Sequence, residues 1–233
     1  MQGSTFKGMG MKKKRKKNKR KRAGGNKVIT VIGPIASGKT TASKIIAQSL
    51  KLSLLDADLF EENPFLPNYI KDTPRWSFAT ELFFTIKRIK KLEVLPKMLK
   101  SSSVVVDSGL IMSHQIYTKN HLVQGTMTAA EWDFFSEIIG DYEKLLPPVN
   151  VVVELKAKPK TQKKRIKERG RSFEKHYTLE YLRSITDRIG EYTRSLDDVE
   201  ETLLVSFDTD KDNAMVMPGK GRFIKTVRQA LNA

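Results

Sequence analysis

The chain has 233 residues, 39% of them hydrophobic, no cysteine, and a formal net charge of +17. That length is enough for one α/β domain with a substantial core. The lack of cysteine excludes disulfides, zinc–thiolate sites and thiol catalysis. With no apolar run of about 18 residues and no apolar leader segment, neither a membrane span nor a secretory signal is expected. The expected setting is intracellular, in the cytoplasm or, in a eukaryotic host, the nucleus.

The charge is unevenly placed. Residues 1–27 hold twelve Lys/Arg and no Asp/Glu, leaving the rest of the chain only five of the seventeen net positive charges. Residues 12–22 carry ten like charges in eleven positions. Such a block repels itself and has nothing to bury, which predicts a disordered arm over 1–26. As a polyanion-binding segment it could contact DNA, serve as a nuclear signal or tether the chain to an anionic surface; the alternative is a solubilising extension. Ala23-Gly24-Gly25-Asn26 reads as a flexible joint to a folded domain over 27–233.

The first predicted strand, 27–32, is continuously apolar, as in a sheet covered on both faces. A helix over 39–50 follows, with an apolar face of Ala42, Ile45, Ile46 and Leu50. A short strand over 52–57 ends in acidic residues. After a loop-rich stretch marked by Asn63-Pro64 and Thr73-Pro74 comes an amphipathic helix over 76–92. A third strand, 103–106, ends at Asp107. Thr128 and Glu131 have capping-box spacing and start a helix to about residue 146, stopped by Pro147-Pro148. A fourth strand spans 150–155, a very basic helix–loop 158–175, a long helix 178–196, a fifth strand 202–207 and a closing helix 223–231. Residues 211–222 carry no assignable chemistry. Alternating strands and helices predict right-handed βαβ units: a three-layer sandwich with a five-stranded parallel sheet and helices on both faces. Ligands then bind at the carboxyl ends of the strands, where Gly33, Asp56, Asp58 and Asp107 converge.

Between the first strand and helix lies Gly33-Pro34-Ile35-Ala36-Ser37-Gly38-Lys39-Thr40-Thr41, which has the P-loop spacing G-x-x-x-x-G-K-[ST]. The glycines let backbone N–H groups turn inward around phosphate oxygens, and the helix adds its positive end. Lys39 would reach the β/γ-phosphates of ATP, and Thr40 would help hold Mg²⁺.

Several further runs carry a resemblance. They are Glu62-Asn63-Pro64-Phe65-Leu66, Asp72, Arg75-Trp76 with Phe78, Arg88, and the run from Lys164 to Glu174 that includes Arg165, Arg169, Gly170 and Arg171. With the P-loop, and in this order, they make the chain similar to the deoxynucleoside kinases, nearest to bacterial deoxyadenosine/deoxyguanosine-type members. The resemblance covers most of residues 28–200 and implies ATP-dependent phosphorylation of a deoxynucleoside 5′-hydroxyl. It implies a basic lid at about 158–175, whose Arg165, Arg169 and Arg171 close over the transferring phosphoryl. It further implies Asp58 as the catalytic base, Asp107 as the partner of Thr40 for Mg²⁺, and Glu174 on the sugar 3′-hydroxyl. Tyr69, Trp76, Glu81 and Arg88 fall on the acceptor side, and the helix over 76–92 could pair in a homodimer.

Four departures also fall on that side. The family's Asp-Arg-Ser after the third strand is Asp107-Ser108-Gly109, and its catalytic Glu is the shorter Asp58. Its base-reading Gln aligns with Glu81, and a tyrosine on the 3′-hydroxyl aligns with Ile70, beside Tyr69. An ionised Glu81 is a pure acceptor that favours exocyclic amines, as on cytosine or adenine. Two other readings stay open: a kinase of the same fold acting on a hydroxymethylated base in viral DNA, guided by the basic arm, and a catalytically weak ATP-binding regulatory protein.

Overall fold

The computed structural model describes residues 25–56, 63–199, 201–214 and 216–233. The basic run at 12–22 and Asp58 lie outside the described residues. The strands are β1 (Val28–Ile32), β2 (Ser53–Asp56), β3 (Val104–Asp107), β4 (Val149–Lys156) and β5 (Leu203–Asp208), all parallel in the order β2-β3-β1-β4-β5. The β-branched runs that make these strands alternate their side chains between two helical layers. On one face, Ile29, Val31, Val105, Val151 and Val153 pack against α1 (Lys39–Leu50) and α9 (Gly219–Asn232) through Ile45, Ile46, Phe223 and Val227. On the other, Val28, Val104 and Val106 meet Ile89 and Leu92 of α3 (Thr73–Leu92) and Leu95 of the short α4 (Leu95–Met98). Ile32 and Val152 on that face meet Ile185 and Ile189 of α8 (Leu179–Ser195).

The remaining helices are α2 (Leu66–Lys71), α5 (Lys119–Val123), α6 (Ala129–Glu143) and α7 (Pro159–Arg169). A π-helical stretch, Met112–Thr118, leads into α5, and a 3₁₀ turn, Ser172–His176, follows α7. The capping box read at Thr128 and Glu131 is present in both directions. Helix boundaries differ from the sequence reading for local reasons, and α9 also begins four residues early, at Gly219 after Pro218. Asp72 caps α3 by accepting from the Arg75 N–H at 3.2 Å, so Pro74 sits in the first turn, where its missing N–H costs nothing. Asn63 accepts the N–H of Phe65 and sets up α2, which was read as loop. Helix α6 ends at Glu143, short of the proline pair. Among the described residues, no helix is long and apolar enough to cross a membrane.

Because β1 is central and its neighbours β3 and β4 follow from opposite crossovers, a crevice opens at the carboxyl ends of these strands. Register places Val31 and Asp56 beside Asp107, and Ile32 beside Glu154.

Candidate active site

The loop between β1 and α1 is built for close approach. A Cβ on Gly33 would lie 2.8 Å from the Leu155 carbonyl oxygen, and Gly38 holds φ +93°, so neither position accepts a side chain without strain. With the loop in this shape, the Lys39 ammonium lies over it and donates to the carbonyls of Gly33 and Pro34, at 3.0 Å each. Lys39, Thr40 and Thr41 open α1 and, with Ile35, Ala36 and Gly38, line a cleft of about 160 Å³.

Asp107 faces them from β3. It is 2% exposed and accepts from the Ser108 hydroxyl at 3.0 Å and from the Thr40 side chain, while its Oδ2 is buried with no hydrogen-bond partner among the described residues. Burial pushes its pKa up, against the lowering effects of Thr40, Lys39 and Ser108; Asp56 adds to the rise. A buried carboxylate oxygen with spare capacity beside a threonine hydroxyl suits a hard divalent cation. Among the described residues, no group of three or more His, Cys, Asp or Glu is arranged to hold a metal.

The basic segment divides between two sides of the P-loop. Arg169 and Arg171 line the Lys39 cleft, and Arg169 binds the buried Glu174 through two parallel N–H···O bonds, Nε to Oε2 at 2.9 Å and Nη2 to Oε1. Arg171 Nη1 lies 3.9 Å from the same carboxylate. Arg165, expected beside the other two arginines, takes a different place in this structure. Its guanidinium donates to the Ala36 carbonyl and to Thr209 Oγ1 and O, and lines a separate cavity with Ser37, Ala42, Asp212 and Asn213. One turn of helix therefore separates a residue on the far side of the P-loop from one on the cleft side.

A narrower cavity of about 40 Å³ continues from the cleft past Arg88, Tyr117 and Glu174. Leu66, Phe84, Tyr177 and Tyr181 wall it, with Tyr69 and Glu81 at its polar side. Arg88 is 6% exposed, donates to Ser113 Oγ and lies 5.5 Å over the Phe84 ring. Glu81 is also 6% exposed, with Oε1 3.8 Å from His121 Nε2. Trp76, expected on the acceptor side, lines neither cavity; it stacks on Phe65 with ring centres 5.9 Å apart. Tyr117, His121, Tyr177 and Tyr181 went unread in the sequence. The π-helical stretch that carries Tyr117 has no periodicity that distinguishes it from an ordinary helix, and the other three sit on short connecting elements or at a helix start.

A family model described as deoxynucleoside kinase matches residues 29–232. The chain belongs to the deoxynucleoside kinase family. This kinase is 29% identical over 174 residues to the deoxyguanosine kinase of Bacillus subtilis (strain 168), covering 74% of this chain and 80% of that one. It is 27% identical over 170 residues to the deoxyadenosine/deoxycytidine kinase of the same organism, with 70% and 75% covered. Its fold matches that of M. mycoides deoxyadenosine kinase with bound dCTP at a TM-score of 0.69 and 21% identity, over 88% of this chain and 98% of the other. The kinase is thus a phosphotransferase acting on deoxynucleosides, with the P-loop sandwich expected from its sequence.

Proposed function

We propose that this enzyme transfers the γ-phosphoryl of ATP to the 5′-hydroxyl of a free deoxynucleoside. The observation that carries this reading is the junction of two cavities. The phosphate cleft around Lys39 and the tyrosine-walled cavity around Glu81 share Arg88, Tyr117 and Glu174. A hydroxyl held in the second cavity is thereby presented to a phosphate held in the first, and positioning of this kind supplies much of the acceleration in phosphoryl transfer.

In this reading Gly33 to Thr41 bind the donor phosphates, and Lys39, Arg169 and Arg171 stabilise charge on the transferring group. Thr40 and Asp107 would hold Mg²⁺, which neutralises phosphate charge when bound. Arg165 serves the donor from the far side of the P-loop. Asp58 is the proposed base, accepting the hydroxyl proton. Glu174, with its orientation fixed by Arg169, keeps lone pairs for a sugar hydroxyl. Glu81 contacts the base, and Arg88 and Tyr69 support that end. The narrow, tyrosine-walled cavity favours a free nucleoside over a nucleotide within a polymer. The exposed apolar side chains Ile86, Phe134, Tyr142 and Leu145 on or just beyond α3 and α6 suit a homodimer, which sedimentation would reveal. Residues 12–22 would add salt-sensitive contact with DNA, lost on deletion of 1–26.

The test is label transfer from γ-labelled ATP to a panel of deoxynucleosides, with plain and hydroxymethylated DNA alongside. Labelled deoxynucleoside 5′-monophosphate is expected. Label appearing only on DNA, or on nothing, overturns the reading. Asp107→Asn should raise the Mg²⁺ concentration needed for half-maximal rate, and an unchanged requirement would remove Asp107 from the metal site.

A further inference from the structure

We propose that the proton on Glu81 sets the acceptor spectrum of this kinase: protonated, it admits several bases; ionised, it selects guanine. The inference rests on the nucleoside-kinase reading above and adds to it the rule by which the base is chosen.

Glu81 enters the acceptor cavity from α3, and its Oε2 is buried there without a hydrogen-bond partner among the described residues. A buried polar atom left unpaired costs about 1–3 kcal/mol, so this oxygen is positioned to bond with whatever enters the cavity. The groups around it are Tyr69 from α2, Arg88 from α3, Tyr117 from the π-helical stretch and His121 from α5. Glu174 from the 3₁₀ turn, Tyr177 after it and Tyr181 from α8 make up the rest of the shell among the described residues.

His121 Nδ1 lies 2.8 Å from the Thr126 hydroxyl and Nε2 lies 3.3 Å from the Tyr69 hydroxyl, so each ring nitrogen of the neutral imidazole has a hydroxyl partner. Burial pulls His121 down to about 4, so it stays neutral at physiological pH. Glu81 Oε1 thus faces a neutral imidazole instead of an imidazolium, and Glu174 is already held by Arg169. Among the described residues, only Arg88 opposes the burial of the Glu81 charge, and the carboxyl is pushed up to about 7. Both forms are populated near neutrality.

The two forms read different edges. A carboxylic acid offers an adjacent donor and acceptor. It pairs with N1 and the amine of adenine, N3 and the amine of cytosine, or a ring N–H with its neighbouring carbonyl on thymine or guanine. A carboxylate offers two acceptors. Only guanine presents two adjacent donors on this edge, N1–H and the 2-amine. Adenine and cytosine set a ring lone pair against the second oxygen, and thymine sets a carbonyl there. The exocyclic amine alone, from which the sequence favoured cytosine and adenine, does not decide selectivity; the ring nitrogen beside it does. A site built to accept such donors rejects analogues that lack them steeply.

The experiment measures kcat/KM and, by calorimetry, Kd for deoxyguanosine, deoxyadenosine, deoxycytidine, thymidine and deoxyinosine between pH 5.5 and 8.5, in the full chain and in Glu81→Gln. The deoxyguanosine-to-deoxyadenosine ratio should rise about tenfold or more through roughly pH 7, corresponding to one hydrogen bond to a charged group. Deoxyinosine, which lacks the 2-amine, should show no such rise against deoxyadenosine, and the ratios in Glu81→Gln should be flat. A flat ratio in the parent chain, or an equal rise in Glu81→Gln, overturns the proposal while leaving the kinase reading intact. A shift in the Kd ratios with no turnover of any deoxynucleoside upholds the selector and overturns the kinase reading. Binding of none of them overturns both.

Discussion

The donor and acceptor halves of the site are made of different material. In the proposed reading the phosphate side is one continuous segment, Gly33 to Thr41, whose backbone and helix end take the phosphates. The base side of that reading gathers Tyr69, Glu81, Tyr117 with His121, and Tyr177 with Tyr181 from four separate stretches of chain and works through side chains. The contrast follows from the ligands. A triphosphate tail is the same in every nucleotide and is well served by N–H groups that every residue carries, whereas a base must be told apart from other bases by side-chain chemistry.

The largest expected effect separates the halves outright. Lys39→Ala should lower kcat by about a thousandfold, by loss of charge stabilisation in the transition state, while leaving the melting temperature and the Kd of the nucleoside within error. A large change in nucleoside Kd would show the halves to be coupled in the ground state. Next, Arg169→Ala leaves the 2%-exposed Glu174 carboxylate without its bidentate partner and should cost about 3–5 kcal/mol in chemical denaturation. Arg165→Ala should instead weaken ATP binding without comparable loss of stability; matching destabilisation would mean that the two arginines are not divided as described.

The acceptor half should also leave a mark on the pH dependence of folding. Glu81 binds its proton up to about 7 when folded, against 4.5 ordinarily, so across that window the folded state holds more protons than the unfolded. Stability therefore falls as pH rises from about 4.5 to 7, by at most on the order of 3 kcal/mol. The difference between the parent chain and Glu81→Gln in denaturant midpoints at pH 5 and 8 isolates this contribution, and parallel pH profiles would refute it. The smallest effect belongs to neither half. Thr128→Ala removes the capping box of α6 and should cost about 1 kcal/mol with no change in kcat/KM; altered catalysis there would mean that α6 position matters to the site.

The fold was legible because its signals are local and repeated. Five β-branched runs separated by amphipathic helices define a parallel sandwich, and the boundaries that moved did so where a proline opens a helix, as at Pro74, or where a helix stops short of a proline pair, as α6 does. The P-loop was legible because its spacing is contiguous. The acceptor cavity was not, since nothing in sequence spacing brings His121 to within 3.8 Å of Glu81 or aims Tyr117 from a π-helical turn. Family likeness placed Glu81 on the base side, but its proton state depends on burial and on the neutral His121 beside it. Arg165 and Arg169 look equivalent in sequence and differ only in what successive turns of α7 touch.

That difference has a consequence for how this protein can vary. Four residues of α-helix advance about 6 Å, and α7 uses that span to set Arg165 against Thr209 at one end and Arg169 against Glu174 at the other. Removing or adding one residue between them would rotate one end by about 100° relative to the other. The stretch from 165 to 169 should therefore tolerate exchanges of its intervening residues far better than any change in their number.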